Sequence, residues 1–198
     1  MISTSAAAAA APPMYVPLQR RFSVDEYEQM IAAGVFGPDE RLELLDGAII
    51  LMSPLGRSHA SCVDKAVIWF VQHMGQAYTV RGQGPLHLSD RSHPQPDILL
   101  LRRKVDYYAH ALPDPADVLL LIEVADLTLD TDRRIKLPLY AEAGIAEVWI
   151  VNLAADQVEV YNAPVAGAYN ATLSAGRGDS MQPTLLPDLA VGVDDILV

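Results

Sequence analysis

The chain has 198 residues, about half of them apolar, a single cysteine and a formal net charge of −11. This length supports one sizeable hydrophobic core and leaves little room for a second domain. The composition excludes an intramolecular disulfide, a zinc site of the usual Cys/His spacing and a membrane span, which needs roughly 20 consecutive apolar residues.

The negative charge argues against a protein that holds nucleic acid through a broad basic surface, because Lys and Arg supply most of the sequence-independent affinity for phosphates. It does not exclude a nuclease, since a metal site needs acidic residues and a basic cleft can lie on an acidic molecule. The cysteine usage suits a reducing compartment, so we expect a cytoplasmic protein with no membrane association.

Residues 1–20 are expected to form a disordered tail, followed by one domain over residues 21–198. The tail is rich in Ala and Pro at residues 6–13 and lacks the basic and Leu-rich regions of a secretory signal. The folded domain and its functional residues are therefore expected within residues 21–198.

The domain is predicted to begin with a short helix and a β-hairpin. Ser23 and Glu26 have the spacing of a capping box, which predicts a helix over residues 24–33. Asp46-Gly47 favours a tight type I′ turn between two strands. These strands are predicted at residues 41–45 and 48–52.

The middle of the chain is predicted to supply the centre of a mixed sheet. Apolar residues at helical spacing predict a core-facing helix over residues 58–74. Apolar runs at residues 97–101 and 118–124 are typical of strands buried on both faces. Shorter extended segments are expected at residues 78–81 and 85–88.

A second helical segment, residues 130–143, contains Pro138, which would cost about 3 kcal/mol inside a regular helix. We therefore expect the regular helix to begin near Leu137, with Lys136 at its entrance. Residues 147–152 are predicted to form a β-branched and aromatic strand. Further antiparallel strands and a closing edge are expected at residues 157–161, 169–173 and 185–198. This order predicts an α/β fold with a mixed sheet flanked by helices.

Two carboxylates belong to the strands that are predicted to be most buried. Asp97 begins one of these strands and Glu123 lies within the other. Buried carboxylates are costly unless they are paired or bind a cation, and two on adjacent strands would also repel each other. A divalent cation would relieve both penalties, and oxygen ligands of this kind suit Mg²⁺ or Mn²⁺.

Each of the candidate residues also has a purely structural explanation. Asp97 at a strand entrance can accept hydrogen bonds from nearby turn amides. Glu123 can pair with an arginine such as Arg102 or Arg133, although its aliphatic neighbours disfavour this pairing. Lys136, taken alone, is typical of a solvent-exposed helical lysine.

The chain resembles the Uma-two family of endonucleases, a branch of the restriction-endonuclease-like PD-(D/E)-x-K superfamily. The resemblance covers roughly residues 21–198 and implies a restriction-endonuclease-like fold and a metal-dependent endonuclease that hydrolyses phosphodiester bonds in DNA. Its ordered motifs are Glu43-Leu-Leu-Asp-Gly47, the helix of His59, Pro96-Asp97-Ile98, Ile122-Glu123-Val124, Lys136 with Tyr140 and Gly144, and Glu147-Val-Trp-Ile-Val151.

The resemblance also implies a role for each site residue. Asp97, Glu123 and the backbone carbonyl of Val124 would hold Mg²⁺ or Mn²⁺. Lys136 would orient the attacking water or stabilise the charge of the transition state. Glu43 would bind the metal directly or through water; its structural alternative is a surface strand carboxylate.

The sequence departs from the family pattern at a few positions. The superfamily lysine usually lies two residues after the glutamate, where this chain has Ala125, and Lys136 matches the displaced lysine of the family. Asn152 stands where the family usually has Asp, and Asp126-Leu127 replaces its usual Ser-Pro. The three principal groups are intact.

His59 and Tyr140 are secondary candidates for the same site. A lone histidine is more often a capping or packing residue, although His59 falls near a helix start that is predicted to approach the cleft. Tyr140 lies four residues after Lys136 and would share its helix face.

Two functions of different classes fit these residues. The first is an endonuclease acting on DNA, with RNA also open; the second is a catalytically inactive restriction-endonuclease-like module for binding or assembly. The acidity favours the second, whereas the joint presence of Asp97, Glu123 and Lys136 favours the first. A homodimer is expected by analogy alone.

Overall fold

The computed structural model describes residues 19–198, and most of the predicted tail lies outside the described residues. The described part contains one main sheet, a separate hairpin and helices on both sides of the sheet. In chain order its elements are α1 (Val24–Ala32), β1 (Leu42–Leu45), β2 (Ala48–Leu51), α2 (Arg57–His73), β3 (Tyr78–Gly82), β4 (Ile98–Arg102), β5 (Val118–Ala125), α3 (Leu129–Thr131), α4 (Leu137–Glu142), β6 (Glu147–Asn152), β7 (Gln157–Val165), β8 (Ala168–Gly176), β9 (Ser180–Met181), β10 (Val191–Gly192) and α5 (Val193–Ile196).

The main sheet has six strands in the order β3-β4-β5-β6-β7-β8. Only β5 and β6 are parallel within this sheet, and the crossover between them carries α3 and α4. All other neighbouring pairs are antiparallel. The predicted mixed α/β sheet is therefore confirmed, and its central strands are buried along their whole length, as their apolar runs predict.

The sheet has a core on each face. Alternate residues of β5 point to opposite faces: Ile122 packs toward α2 and α5, while Leu121 packs toward α4. By the same alternation Glu123 shares the face of Leu121, toward α4. The polar residue at this position is therefore held inside the protein by its strand.

The N-terminal hairpin follows the prediction from Asp46-Gly47. Both turn residues have positive φ, 44° and 72°, as a type I′ turn requires. The hairpin is attached to the rest of the molecule through an antiparallel bridge between Leu44 and His93. The predicted capping box of α1, Ser23 with Glu26, is also present.

The crossover contains a π-turn at Asp132–Lys136, between α3 and α4. In this wider turn the Leu137 N–H donates to the Asp132 carbonyl, five residues back. Pro138 has no N–H to continue a regular helical ladder through this point. The regular helix begins at Leu137, as expected, while the π-turn itself was not predicted.

One expected strand, at residues 85–88, is absent from the described chain. Residues 85–88 form a loop, in which the Leu86 and Leu88 amides bond the carbonyls of Pro94 and Ser92. Prolines on this segment and its partner remove the donors that a regular ladder needs.

Residues 185–198 do not close the main sheet either. They supply β10, which pairs with β9 in a small separate sheet, and then α5 packs on α2. Pro183 and Pro187 interrupt the segment before β10. Within residues 19–198, no helix combines the length and apolarity needed to cross a membrane.

Candidate active site

A cleft of about 150 Å³ lies where β4 begins and β5 ends. Its walls come from the β1-β2 hairpin, the start of α2, the loop after β5 and the π-turn. The charged and polar residues that line it include Glu43, His59, Gln95, Asp97, Asp126, Glu123, Asp132 and Lys136. All four side chains predicted for the site, Glu43, Asp97, Glu123 and Lys136, are therefore brought together.

Asp97 lies one residue before β4 and is buried. Its Oδ2 accepts hydrogen bonds from the Val124 N–H at 2.8 Å and from His59 Nε2 at 3.1 Å. The structural explanation for Asp97 is thus correct in part, although the amide belongs to the neighbouring strand rather than to a turn. These bonds fix one oxygen of the carboxylate beside the Val124 backbone.

Glu123 accepts hydrogen bonds from the Tyr140 hydroxyl at 2.6 Å and from Lys136 Nζ at 3.2 Å, both on the same oxygen. The alternative pairing with an arginine is wrong, because Arg133 binds Glu159 and Arg102 donates to a carbonyl. Burial raises the pKa of Glu123 to about 8, against the opposing effects of Lys136 and Tyr140. The hydrogen bonds to Glu123 therefore do not compensate fully for burying its charged form.

Lys136 is a buried lysine surrounded by acids, so its interpretation as a solvent-exposed residue is wrong. Its Nζ lies 3.2 Å from Glu123, 3.3 Å from Glu43 and 3.9 Å from Asp132. Burial lowers the pKa of this ammonium, but the attraction of the three carboxylates outweighs burial and raises it. Lys136 is consequently a permanent cation at the floor of the cleft.

Asp132 is a site residue that the sequence interpretation missed. It is buried, accepts a 2.7 Å hydrogen bond from the Thr128 hydroxyl and faces Lys136. Burial raises its pKa to about 6. Its position four residues before Lys136 was the available signal.

The secondary candidates, His59 and Tyr140, contact the carboxylates of the cleft. His59 is buried, and its hydrogen bond to Asp97 raises the pKa of the imidazole. Tyr140 donates to Glu123, and a backbone amide at Gln95 donates to Glu43 at 3.3 Å. Asn152 contacts Glu159 outside the cleft.

The donor set suits a hard divalent cation. Glu43, Asp97 and Glu123 offer carboxylate oxygens, the ligands that Mg²⁺ and Mn²⁺ prefer, and the raised pKa of Glu123 marks a charge that such an ion would relieve. Among residues 19–198, no three His, Cys, Asp or Glu side chains already have the spacing of a metal site. The ammonium of Lys136 lies between Glu43 and Glu123. To bind an ion, the carboxylates would therefore have to move closer together around it.

Comparison with known proteins agrees with this architecture. The model of the Uma2 family, described as "Putative restriction endonuclease", matches residues 24–194. Among solved structures, a crystal structure titled as a putative nuclease belonging to DUF820 from Anabaena variabilis ATCC 29413 is similar, with a TM-score of 0.67 and 16% identity over 88% of this chain and 97% of that chain. At this identity the likeness establishes the fold. No curated protein matches the sequence.

Proposed function

The chain belongs to the Uma2 family, and from that premise we propose that it is an endonuclease that uses Mg²⁺ or Mn²⁺ to hydrolyse phosphodiester bonds in DNA. The observation that carries the proposal is the convergence of Asp97, Glu123 and Lys136 on one cleft, with Glu43 beside them. A cytoplasmic location and a homodimer belong to the same proposal, the latter by analogy alone.

Each side chain of the cleft has a distinct role in this proposal. Asp97, Glu123 and the Val124 carbonyl would hold the cation, with Glu43 as a further ligand. When bound, the cation supplies polarisation of the phosphate and a lowered pKa of the attacking water.

Lys136 supplies positive charge that does not depend on the ion. Its ammonium, held by Glu43 and Asp132, would donate to the phosphate oxygens as their charge develops. Tyr140 fixes the oxygen of Glu123 that Lys136 also contacts, and His59 fixes Asp97. These hydrogen bonds hold the acids in place before substrate arrives.

A binding or assembly module without cleavage is the second candidate. Its support is the net charge of −11 and the acidic lining of the cleft. Of the described residues that line the cleft, Lys136 alone is a Lys or Arg. The nuclease is preferred because a module without chemistry has no physical need to bury several mutually repelling carboxylates around one lysine.

Cleavage of plasmid and of single-stranded DNA by matched variants tests the proposal. Wild type is expected to cleave DNA in Mn²⁺ and not in EDTA, and Asp97→Asn is expected to abolish the metal-dependent cleavage. Lys136→Met should slow cleavage by about 100-fold, the usual effect of removing one stabilising donor. Asp117→Asn is the control, because Asp117 is equally buried and lies outside the cleft.

Either of two results would count against the enzyme. Cleavage by Asp97→Asn at the wild-type rate would reject the proposed site. No cleavage of DNA or RNA, together with a melting temperature that Mn²⁺ leaves unchanged, would favour the binding module.

A further inference from the structure

Three large apolar side chains stand exposed at the mouth of the cleft. Leu51 is 67% exposed, Leu55 is 44% exposed and Leu127 is 86% exposed. They come from the end of β2, the loop before α2 and the loop after β5, and all three line the cleft. Exposed apolar groups gathered around a concave site are typical of a binding surface.

The charges of the cleft do not suit a double helix. Its described lining carries five acids against one lysine, Lys136, and one histidine, His59; both are buried and already paired with acids. Holding a duplex requires cations along its phosphate backbones. Affinity at this cleft must therefore come mainly from apolar contact and from a bound divalent cation.

The depth of the site also selects the conformation of the substrate. Asp97 is 8% exposed and Glu123 is 3% exposed, so a phosphodiester must enter the cleft that the leucines line to reach them. The bases attached to that phosphodiester then meet aliphatic side chains at the mouth. Leucine and similar apolar residues are the ones that proteins insert between unstacked base steps.

We propose that the cleft takes an unpaired, unstacked segment of nucleic acid, with Leu51, Leu55 and Leu127 packed against the bases that flank the entering phosphate. This inference rests on the proposed function for what happens to the phosphate. A single strand fits because it can turn one phosphate inward and splay its bases outward, whereas a base-paired stack must first be opened.

Binding and cleavage are measured separately on three labelled DNAs: a single strand, the same strand in a blunt duplex, and the duplex interrupted by a single-stranded gap. Fluorescence anisotropy in Ca²⁺ gives the affinities, and gel assays in Mn²⁺ give the cleavage rates. Single-stranded and gapped DNA are expected to bind about tenfold tighter than the duplex, because the duplex must first be unpaired and unstacked.

Leu127→Ser is the test variant, because its side chain is too exposed to matter for folding. It should weaken single-strand binding about fivefold, because serine removes most of the apolar contact that leucine would make with a base. Val105→Ser is the matched control: Val105 is 98% exposed, lies outside the cleft and should leave binding unchanged.

The results distinguish the single-strand inference from the proposed nuclease activity. Equal or tighter binding of the duplex, no binding of any DNA, or equal behaviour of the two variants would overturn the inference. A concentration-dependent dimer that Leu127→Ser dissociates would overturn it too, because the leucines would then join two copies. Preferential single-strand binding without cleavage would keep the inference and reject the nuclease.

Discussion

Glu123 and Glu159 are both almost completely buried, and their pKa values move in opposite directions. Burial raises the pKa of both, but at Glu159 the hydrogen bonds from Arg133, Asn152 and Tyr161 outweigh it. At Glu123 burial is the largest effect and prevails over the opposing effects of Lys136 and Tyr140. The contrast makes Glu123, and not Glu159, the candidate for binding a cation.

This difference predicts how stability depends on pH. The folded pKa of Glu123, about 8, lies above its unfolded value of 4.5, so its protonated form stabilises the fold below pH 4.5 and this contribution is lost as pH rises to 8. Metal-free wild type should therefore lose stability from pH 5 to pH 8, and Glu123→Gln should lose less. Over these three pH units, at about 1.4 kcal/mol per unit, the difference is at most about 4 kcal/mol. Urea unfolding in EDTA at both pH values measures it.

Glu159→Gln provides the opposite control. The folded pKa of Glu159 is lowered, so its contribution is present above pH 4.5 and is lost as the solution becomes more acidic. Compared with wild type, Glu159→Gln should therefore be less stable chiefly above pH 5. Parallel pH profiles for the two glutamine variants would contradict the electrostatic assignment of the cleft.

At the scale of elements, the β1-β2 hairpin presents Glu43 to the cleft and depends on one glycine. Gly47 has φ of +72°, and a Cβ there would lie 2.7 Å from the Arg21 Cβ and 2.9 Å from the Phe22 carbonyl oxygen. Gly47→Ala should therefore combine a strained backbone with a backbone clash and cost about 1–3 kcal/mol. Chemical denaturation measures the cost.

Gly75→Ala is the matched control for the hairpin glycine. Gly75 also has positive φ, +61°, but a Cβ there meets nothing within 4 Å. It should show only the conformational penalty, about 1 kcal/mol. Equal losses of stability in the two variants would mean that the clash with Arg21 and Phe22 adds no cost at Gly47.

The elements with local signals were predictable from sequence. The Asp46-Gly47 hairpin, the capped α1 and the apolar strands β4 and β5 all agree with their patterns. The predictions of a strand at residues 85–88 and of a closing edge of the main sheet at residues 185–198 were wrong, because proline removes ladder donors without changing the apolar pattern.

The site was predicted in part, and largely through the family resemblance. Asp97 and Glu123 stood out as charges in apolar strands, but Lys136 had no distinctive local signal. Asp132 was missed although it lies four residues before Lys136, because its burial against the cleft depends on the π-turn, which the local pattern does not predict. Such turns depend on tertiary context.

At the scale of the whole molecule, the sheet topology brings the candidate acids together. β4 and β5 are antiparallel, so the start of β4 and the end of β5 lie at the same edge of the sheet. Asp97 precedes β4 and Glu123 lies near the end of β5, and the crossover to the parallel strand β6 carries Lys136 over them. Residues far apart in sequence thus share one charged cleft on a strongly acidic protein.

That charge distribution predicts a weak dependence of nucleic-acid binding on salt. Each phosphate charge neutralised on a single strand adds about −0.7 to the slope of log affinity against log salt. A cleft with one buried lysine and one bound Ca²⁺ offers about three positive charges, so the slope should be about −2 or shallower. Anisotropy titrations at several KCl concentrations with constant Ca²⁺ measure it. Ser53→Lys adds a cation to the exposed wall of the cleft and should steepen the slope by about 0.7, whereas Ser174→Lys on β8 should not. A slope of about −5 for wild type, in log affinity against log salt, would instead require an extended basic interface away from the cleft.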